Sequence, residues 1–592
     1  MNVKTSLEMS KDISKPEQLI TEHIDIWTSA ILAKSTSGHG SSKKYELYGI
    51  SKLRELILEL AVRGKLVPQD DNDEPVSVIL EKINDKKSEL IKNGNVKVRS
   101  LPKITDEEVS SDLPVGWEVI RLGNAMNVLN GRAYKKHEML QEGTPLLRVG
   151  NLFTSKEWYY SDLELEPDKY INNGDLIYAW SASFGPFIWE GDKVIYHYHI
   201  WKLDLYDDTA LSKAYLYNYL LSITKKIKAS GNGIAMIHMT KGRMEELILP
   251  IPPLAEQHRI VSKVDELMLL CDQLEQQTEA SIDAHATLVE VLLATLIDSA
   301  DADELAQNWM RIAEHFNSLF TTEKSIDALK QTVLQLAVMG KLVPQNPDEE
   351  PASILLEKLR KERSEWLQKT KEENPESKTM LKKLKKLSDA SAPFEIPSTW
   401  KTAYLIDLCT YLVDCHNKTA PYVDSGIPII RTSKIREREF CKTGMKYISE
   451  ETYEYWSRRC PPKPEDIIFT REAPMGEAAI IPKGSVWCLG QRTMLIRPYH
   501  KYVSNQYLLL ALTEPHLLER ASEHAIGSTV KHLRVGDVEN LNIPLPPLSE
   551  QHRIVAKVNE LIAICAQLKD KIQQSQETQV QLTDALIDNA LG

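Results

Sequence analysis

At 592 residues, with 42% hydrophobic and 26% charged side chains, the chain has the makeup of a folded globular protein of several domains, and nothing in it argues for long disorder. The longest apolar run, about ten residues around Leu288 to Ile297, is interrupted by Glu290 and Thr295, and the opening MNVKTSLEMSKDIS lacks an apolar core. Neither a membrane span nor secretion is expected, and the chain is placed in the cytoplasm. The formal charge of −12 argues against a global positive field, yet residues 113–250 hold 15 Lys/Arg against 16 Asp/Glu and residues 395–546 hold 19 against 18, so the deficit lies outside these two segments.

A helical arm is expected over 1–112. It carries a Gly/Ser-rich loop, KSTSGHGSSKKYELYG (34–49), and a helix with Leu53, Leu56, Ile57 and Leu60 on one face and Gly64 as its terminator. Glu74-Pro75 then sets proline at the first position of a second helix, VSVILEKI. Residues 113–250 change texture. Pro145–Val149, Asp175–Trp180 and Lys193–Leu205 read as strands between Gly, Asn and Asp turns, and the segment holds 19 of the 41 aromatic side chains.

Pro250, Pro252 and Pro253 mark a stiff entry to a long helix over 251–300, on which Ile260, Val264, Leu267, Cys271 and Leu274 keep the 4-3-4-3 spacing of a coiled-coil stripe. That helix is expected to reach about Ile297, on the order of 40 residues or 60 Å. A second arm fills 301–394, with Gly340, Glu350-Pro351 and a lysine-rich stretch at 378, 382, 383, 385 and 386 that reads as a solvated linker helix. Residues 395–546 form a second α+β insert with strands at Ile427–Arg431, Asp466–Phe469 and Ala478–Ile481. A second long helix over 547–592 repeats the stripe as Ile554, Val558, Leu561, Cys565 and Leu568. The seven cysteines have no C-x-x-C spacing and read as core residues in a reducing compartment.

The chain is a tandem duplication. PIPPLAEQHRIVSKVDEL (250–267) returns as PLPPLSEQHRIVAKVNEL (544–561), 14 of 18 identical at an offset of 294, and residues 60–82 return at 336–358 with 15 of 23 identical. The inserts between these blocks are far less alike. Two near-identical frames holding dissimilar inserts point to one task performed against two targets. No phosphate loop, no Asn-Pro-Pro-aromatic run, no glycine-rich nucleotide turn and no zinc-ligand spacing is present, so no catalysis is expected of the chain itself.

P-[IL]-P-P-L-x-E-Q-H-R-I-V, preceded by glycine-led segments at 233 and 527, together with Leu113-Pro-x-x-Trp117 and Ile396-Pro-x-x-Trp400 at the head of each insert, resembles the specificity subunit of type I restriction-modification enzymes, of a long-armed subgroup. The resemblance spans nearly the whole chain. It implies two target-recognition domains, 113–250 and 395–546, each reading half of a split site in double-stranded DNA, joined by long antiparallel helices that set the gap. It also implies partners: two methyltransferase subunits using S-adenosylmethionine and two restriction subunits using ATP and magnesium, with no cofactor on this chain. A self-contained modification enzyme and a DNA-independent coiled-coil scaffold are the competing classes; the absent motifs disfavour the first and the two dissimilar inserts the second.

DNA-contact candidates follow from residue type. Arg148 and Asn151 of LLRVGNL have forked groups suited to guanine and adenine edges, and their twins in IIRTSKIRER are Arg431, Ser433, Lys434 and Arg436. Ser181 and Ser183 follow YAW, with Arg471 after DIIFT as their counterpart. His238 and Lys241 match Lys531, His532 and Arg534 in the glycine-led segments. Arg132, Lys135 and Lys136 surround Tyr134 and suit phosphate. Each has a plainer reading: an arginine covering a strand, a structural histidine, or lysines that simply face water. For His258-Arg259 and His552-Arg553, helix packing or subunit contact is expected instead of DNA.

Overall fold

The computed structural model describes residues 15–33, 45–94, 96, 100–109, 113–181, 183–229, 239–300, 302–472, 474–523 and 532–591. They pack as two units, Met1–Ser281 with Ser575–Gly592, and Ile282–Gln574.

In the first unit the arm carries a two-stranded pair, β1 (Leu32–Ala33) and β2 (Tyr45–Glu46), and a helix at Tyr48–Val62 whose Leu53, Leu56, Ile57 and Leu60 are buried as their spacing requires. Gly64 ends that helix at φ +66°; its N–H reaches Ala61 O and the Lys65 N–H reaches Leu60 O at 2.9 Å, the paired bonds of a Schellman cap. A Cβ at Gly64 would stand 2.3 Å from Pro114 Cγ, so both conformation and space demand glycine; Gly340 repeats this at φ +74° against Pro397. The helices after Glu-Pro start one residue later than expected. Pro75 and Pro351 are the N-caps of Val76–Lys92 and Ala352–Thr370, because their extended ψ of 141° and 147° lies outside the helical region.

The first insert folds as two four-stranded sheets and a two-stranded root. Its strands are β3 (Glu118–Arg121), β4 (Met126–Asn130), β5 (Thr144–Leu147), β6 (Tyr159–Ser161), β7 (Tyr170–Ile171), β8 (Leu176–Ser181), β9 (Ser183–Ile188), β10 (Val194–Tyr196), β11 (Ile200–Leu205) and β12 (Ile248–Ile251). The sheet orders are β6-β5-β10-β7, β4-β11-β8-β9 and β12-β3. Val76, Ile79 and Ile83 of the arm share the domain's core with Leu176, Tyr178 and Trp201, so arm and insert bury apolar surface together.

The second insert repeats the plan. Its strands are β13 (Lys401–Tyr404), β14 (Cys409–Asp414), β15 (Ile427–Ile430), β16 (Ile435–Arg436), β17 (Glu439–Phe440), β18 (Lys446–Ile448), β19 (Ile467–Thr470), β20 (Ala478–Ile480), β21 (Cys488–Leu489), β22 (Thr493–Pro498) and β23 (Asn542–Leu545). Here the orders are β13-β23, β14-β22-β19-β20 and β18-β15-β21, with β16-β17 as a separate hairpin. The fold is α+β: two mixed domains joined by long helices.

Those helices run Leu254–Asp298 and Leu548–Leu591, 45 and 44 residues, each about 65 Å of α-helix. The stripe residues Ile260, Val264, Leu267, Cys271 and Leu274 are buried. An 18-residue stretch of the first helix has mean hydropathy 1.5, enough by length and composition to cross a membrane, which counting uninterrupted apolar runs did not register. In it Val289, Leu293 and Leu296 pack into the protein core, while Leu288 and Val291 are 50% and 56% exposed. Six cysteines are buried and free, and Cys441 is free and exposed.

The repeated sequence blocks meet in space. Glu256 Oε1, at the head of the first long helix, accepts from Gln69 Nε2 at 2.8 Å and from Trp117 Nε1 at 3.1 Å, while Arg259 pairs with Asp73 at 2.7 Å. Gln257 Nε2 donates to Pro252 O at 3.0 Å, and its Oε1 accepts from the Ser212 N–H at 2.8 Å. The second unit repeats this with Gln345, Trp400, Glu550, Glu349, Arg553 and Gln551. The arginines of Q-H-R therefore tie the helices to the arm loops. Four residues before Gln69, Lys65 Nζ donates to Leu591 O at 3.2 Å, at the far end of the second long helix; Lys341 Nζ does the same for the first at Ile297 O, 2.7 Å. G-K-L-V-P-Q is thus a double clasp, holding the start of one long helix and the end of the other within each unit.

Candidate nucleic-acid interface

In both inserts four chain segments converge where the two larger sheets join. The first has β5 and β10 parallel, in register Leu147↔Tyr196. Beyond β10 the chain turns through His197-Tyr198-His199 into β11, which pairs antiparallel with β4 and β8. By its sequence Lys193–Leu205 is one strand. The structure breaks it at 197–199 because the backbone leaves one sheet for the other: His197 N–H reaches Leu147 O at 2.9 Å, Tyr198 N–H reaches Arg132 O at 3.1 Å, and the His199 carbonyl accepts from Trp180 N–H at 3.1 Å. The ends of β4, β5 and β8 are thereby gathered around one three-residue crossover.

The second insert builds the same junction from Gly490-Gln491-Arg492. Gly490 N–H reaches Ile430 O at 2.8 Å, Arg471 N–H reaches Arg492 O at 2.9 Å, and Arg492 N–H approaches Cys415 Sγ at 3.0 Å. A Cβ at Gly490 would lie 2.4 Å from Ile430 O, so the strand ends approach this closely only over glycine. The register aligns Arg471 with Trp180, one residue before the serine it was matched to from sequence, because the N–H groups of Arg471 and Trp180 play the same part.

The junctions differ in chemistry. In the first, Trp180 stacks on Trp201 at 5.3 Å, its edge contacts His199 at 5.2 Å, and its Nε1 donates to Tyr198 O at 3.1 Å. Burial, with His199 and Arg148 nearby, pushes the His197 imidazole down to about 4, so it is neutral near pH 7. Tyr198 is 40% exposed. In the second, Arg431 and Gln491 are exposed beside Arg471, and Arg492 pairs with Glu472 while its side chain stays 61% exposed.

The sequence-derived candidates divide accordingly. Arg132, Arg148, Arg431 and Arg471 lie at the junctions, and Ser181 closes the tight β8–β9 connection opposite Ser183. Arg132 is forked onto Glu138 at 2.6 and 3.2 Å, and Arg148 lies over the Tyr159 ring at 4.3 Å with its Nε buried and unpaired. Asn151 is an internal cap: its Oδ1 accepts from Arg148 N–H at 3.2 Å and its Nδ2 donates to Glu157 O at 2.7 Å. Lys135 and Lys136 are exposed at a 3-10 turn spanning Lys136–Glu138. Lys241 faces Glu245 at 3.5 Å.

Ser433 is exposed, Lys434 donates to Thr443 O, and Arg436 turns back on Thr432 O and Ile435 O beside the β16–β17 hairpin. His532 bridges to Glu472, bringing residues 532 and 533 against the second junction, while Arg471 Nη1 donates to Leu533 O at 3.0 Å. Arg534 is an exposed N-cap. His238, Lys531 and the Ser183 side chain lie outside the described residues. Sequence reasoning missed His197, Tyr198, His199, Trp180, Gln491 and Arg492. The available signals were a histidine pair inside an apolar run and a Gly-Gln-Arg interruption before TMLIRP.

Comparison with known proteins assigns the family. The model of the type I restriction modification DNA specificity domain matches residues 114–284 and 397–577, once per repeat. The chain is 36% identical to the Escherichia coli type I restriction enzyme EcoAI specificity subunit, over 97% of this chain and all of that protein, and 34% identical to the EcoEI specificity subunit of the same organism over the same shares. Identity to the E. coli EcoBI specificity subunit is 22%, over 80% of this chain and 85% of that one. The chain belongs to the family of type I restriction-modification DNA specificity subunits.

Proposed function

We propose that this chain reads a split, asymmetric site in double-stranded DNA through its two inserts, without performing bond chemistry, and directs adenine methylation or ATP-dependent cleavage by partner subunits. The observation that carries the reading is the junction built twice on one frame and filled with different side chains. One backbone plan offers imidazole, phenol and indole groups in the first domain and arginine and glutamine in the second. Side chains at base edges discriminate sequence, whereas phosphate contacts do not, so identical frames with different junctions read different half-sites.

Near-neutral inserts support a need for company. With no basic excess, the chain gains much of its phosphate contact from other chains closing around the duplex. Two methyltransferase subunits with S-adenosylmethionine and two restriction subunits with ATP and magnesium are the proposed partners. The test is domain exchange: replacing residues 113–250 with the corresponding domain of a relative changes one half-site and leaves the other half and the spacer as they were. A change in both halves would refute the modular reading.

A further inference from the structure

The crossover segments carry an inference that rests on the DNA-reading function and deepens it. Each is the shortest passage between the two larger sheets of its domain, three residues long, and the ends of three other strands are bonded to it. Strand ends at such a switch leave side chains standing clear of both sheets, where a ligand can meet them. Arg492 is notable there. It is a non-glycine residue at φ +65°, a conformation that costs a side-chain-bearing residue and persists where its surroundings enforce it. Its guanidinium is held by Glu472, whose side chain is 16% exposed, while the arginine itself remains 61% exposed. A forked donor, aimed by a sheltered carboxylate and standing out from the junction, suits the O6 and N7 acceptors of guanine in the major groove. The opposite junction offers no such fork at this position: His199 takes the place of Arg492, beside the exposed phenol of Tyr198.

We propose that the three-residue crossovers, 197–199 and 490–492, are specificity-determining segments of the two domains, and that Arg492 specifies a guanine in the half-site read by the second. Glu472 is a positioning residue for it. Loss of a bidentate arginine–guanine pair removes roughly ten- to hundredfold discrimination at one base pair.

The test uses the full chain, co-expressed with its methyltransferase and restriction partners, with genome-wide mapping of methylated adenines as the readout. Arg492→Gly keeps the left-handed backbone and deletes the fork; Arg492→Lys keeps the charge and loses the fork. Both are expected to relax one guanine position in one half of the motif and leave the other half intact, whereas Tyr198→Ala alters only the opposite half. Lys483→Ala, whose side chain is 86% exposed and pairs with Glu465 rather than with the crossover, serves as the control that keeps the parent motif. An unchanged motif in the Arg492 variants, a change in the half altered by Tyr198→Ala, or complete loss of methylation with an unchanged melting temperature would each overturn the assignment. Should Arg492→Gly melt early, Arg492→Lys alone decides. A wild-type chain that yields no split motif refutes the DNA-reading function itself, and this inference with it; a normal wild-type motif with unchanged Arg492 variants refutes only the inference.

Discussion

Trp117 Nε1 donates to Glu256 Oε1 at 3.1 Å in a buried setting, and Trp400 Nε1 meets Glu550 Oε2 at 3.0 Å in the other unit. These bonds join the L/I-P-x-x-W opening of each insert to the E-Q-H-R block of its long helix, across 139 and 150 residues of sequence. Both indoles also meet a buried tyrosine edge-on at 6.4 Å, Tyr215 and Tyr507, whose hydroxyls donate to Pro250 O and Pro544 O. Each domain is thereby pinned at the proline-rich entry to its helix.

Replacing Trp117 by Phe keeps an aromatic ring against Tyr215 but removes the donor. The expected cost is about 1–2 kcal/mol, since Glu256 is left buried with one partner fewer. Hydrogen exchange should quicken in β3, β12 and the first turns of the Leu254–Asp298 helix. Trp400→Phe should give the mirror result in β13, β23 and the second long helix. Unchanged exchange at both roots would show that the indole bonds contribute nothing.

The same carboxylates confer a pH dependence. Burial raises Glu256 and Glu550 above the ordinary 4.5, against the opposing hydrogen bonds from Trp and Gln. A raised folded-state value means that proton binding favours the folded chain. The stabilisation is complete below the ordinary carboxylate range and is lost as pH rises through the raised values. Wild type should therefore lose stability relative to Glu256→Gln/Glu550→Gln as pH climbs from about 4 to about 7. A difference in melting temperature that stays flat or grows in favour of wild type contradicts this.

Lys65 and Lys341 cap long-helix ends through carbonyls. Lys341→Ala should cost about 0.5–1 kcal/mol and fray the last turn of Leu254–Asp298, because a cation at a helix C-terminus offsets the exposed carbonyl dipoles. Hydrogen exchange at residues 294–298 reports it; protection equal to wild type would rule the cap out.

The architecture was legible where periodicity and duplication carried it. Leu53, Leu56, Ile57, Leu60 and the Ile260-to-Leu274 stripe follow from spacing and are buried, and Gly64 follows from backbone chemistry and takes the left-handed cap. The arm loops were legible as repeated words but not as clasps, since no local rule links Gln69 to Glu256 or Lys65 to Leu591. Site residues were least legible. Asn151 has an amide suited to adenine, yet tertiary context commits it to Arg148 N–H and Glu157 O. His197-Tyr198-His199 was read as strand because the break there is a change of sheet, and apolar, β-branched residues flank it on both sides.

The double clasp also constrains the long helices as rulers. Seven residues inserted after Leu267 add about 10 Å, or about three base pairs, while keeping the buried stripe in phase. Because each arm holds the start of one long helix and the end of the other, insertion into one alone should impair DNA binding. Matched seven-residue insertions after Leu267 and Leu561 should restore it on a site with a longer spacer. Full binding of the original site by the single insertion would show that the clasps do not couple the helices.

The central claim is that one chain reads two different half-sites, and mapping of methylated adenines in cells carrying it with its partner subunits tests this most directly. The expected result is one split motif, two unlike half-sites around a spacer of fixed length. A palindromic motif, a continuous motif, or half-sites found at variable spacing would contradict it.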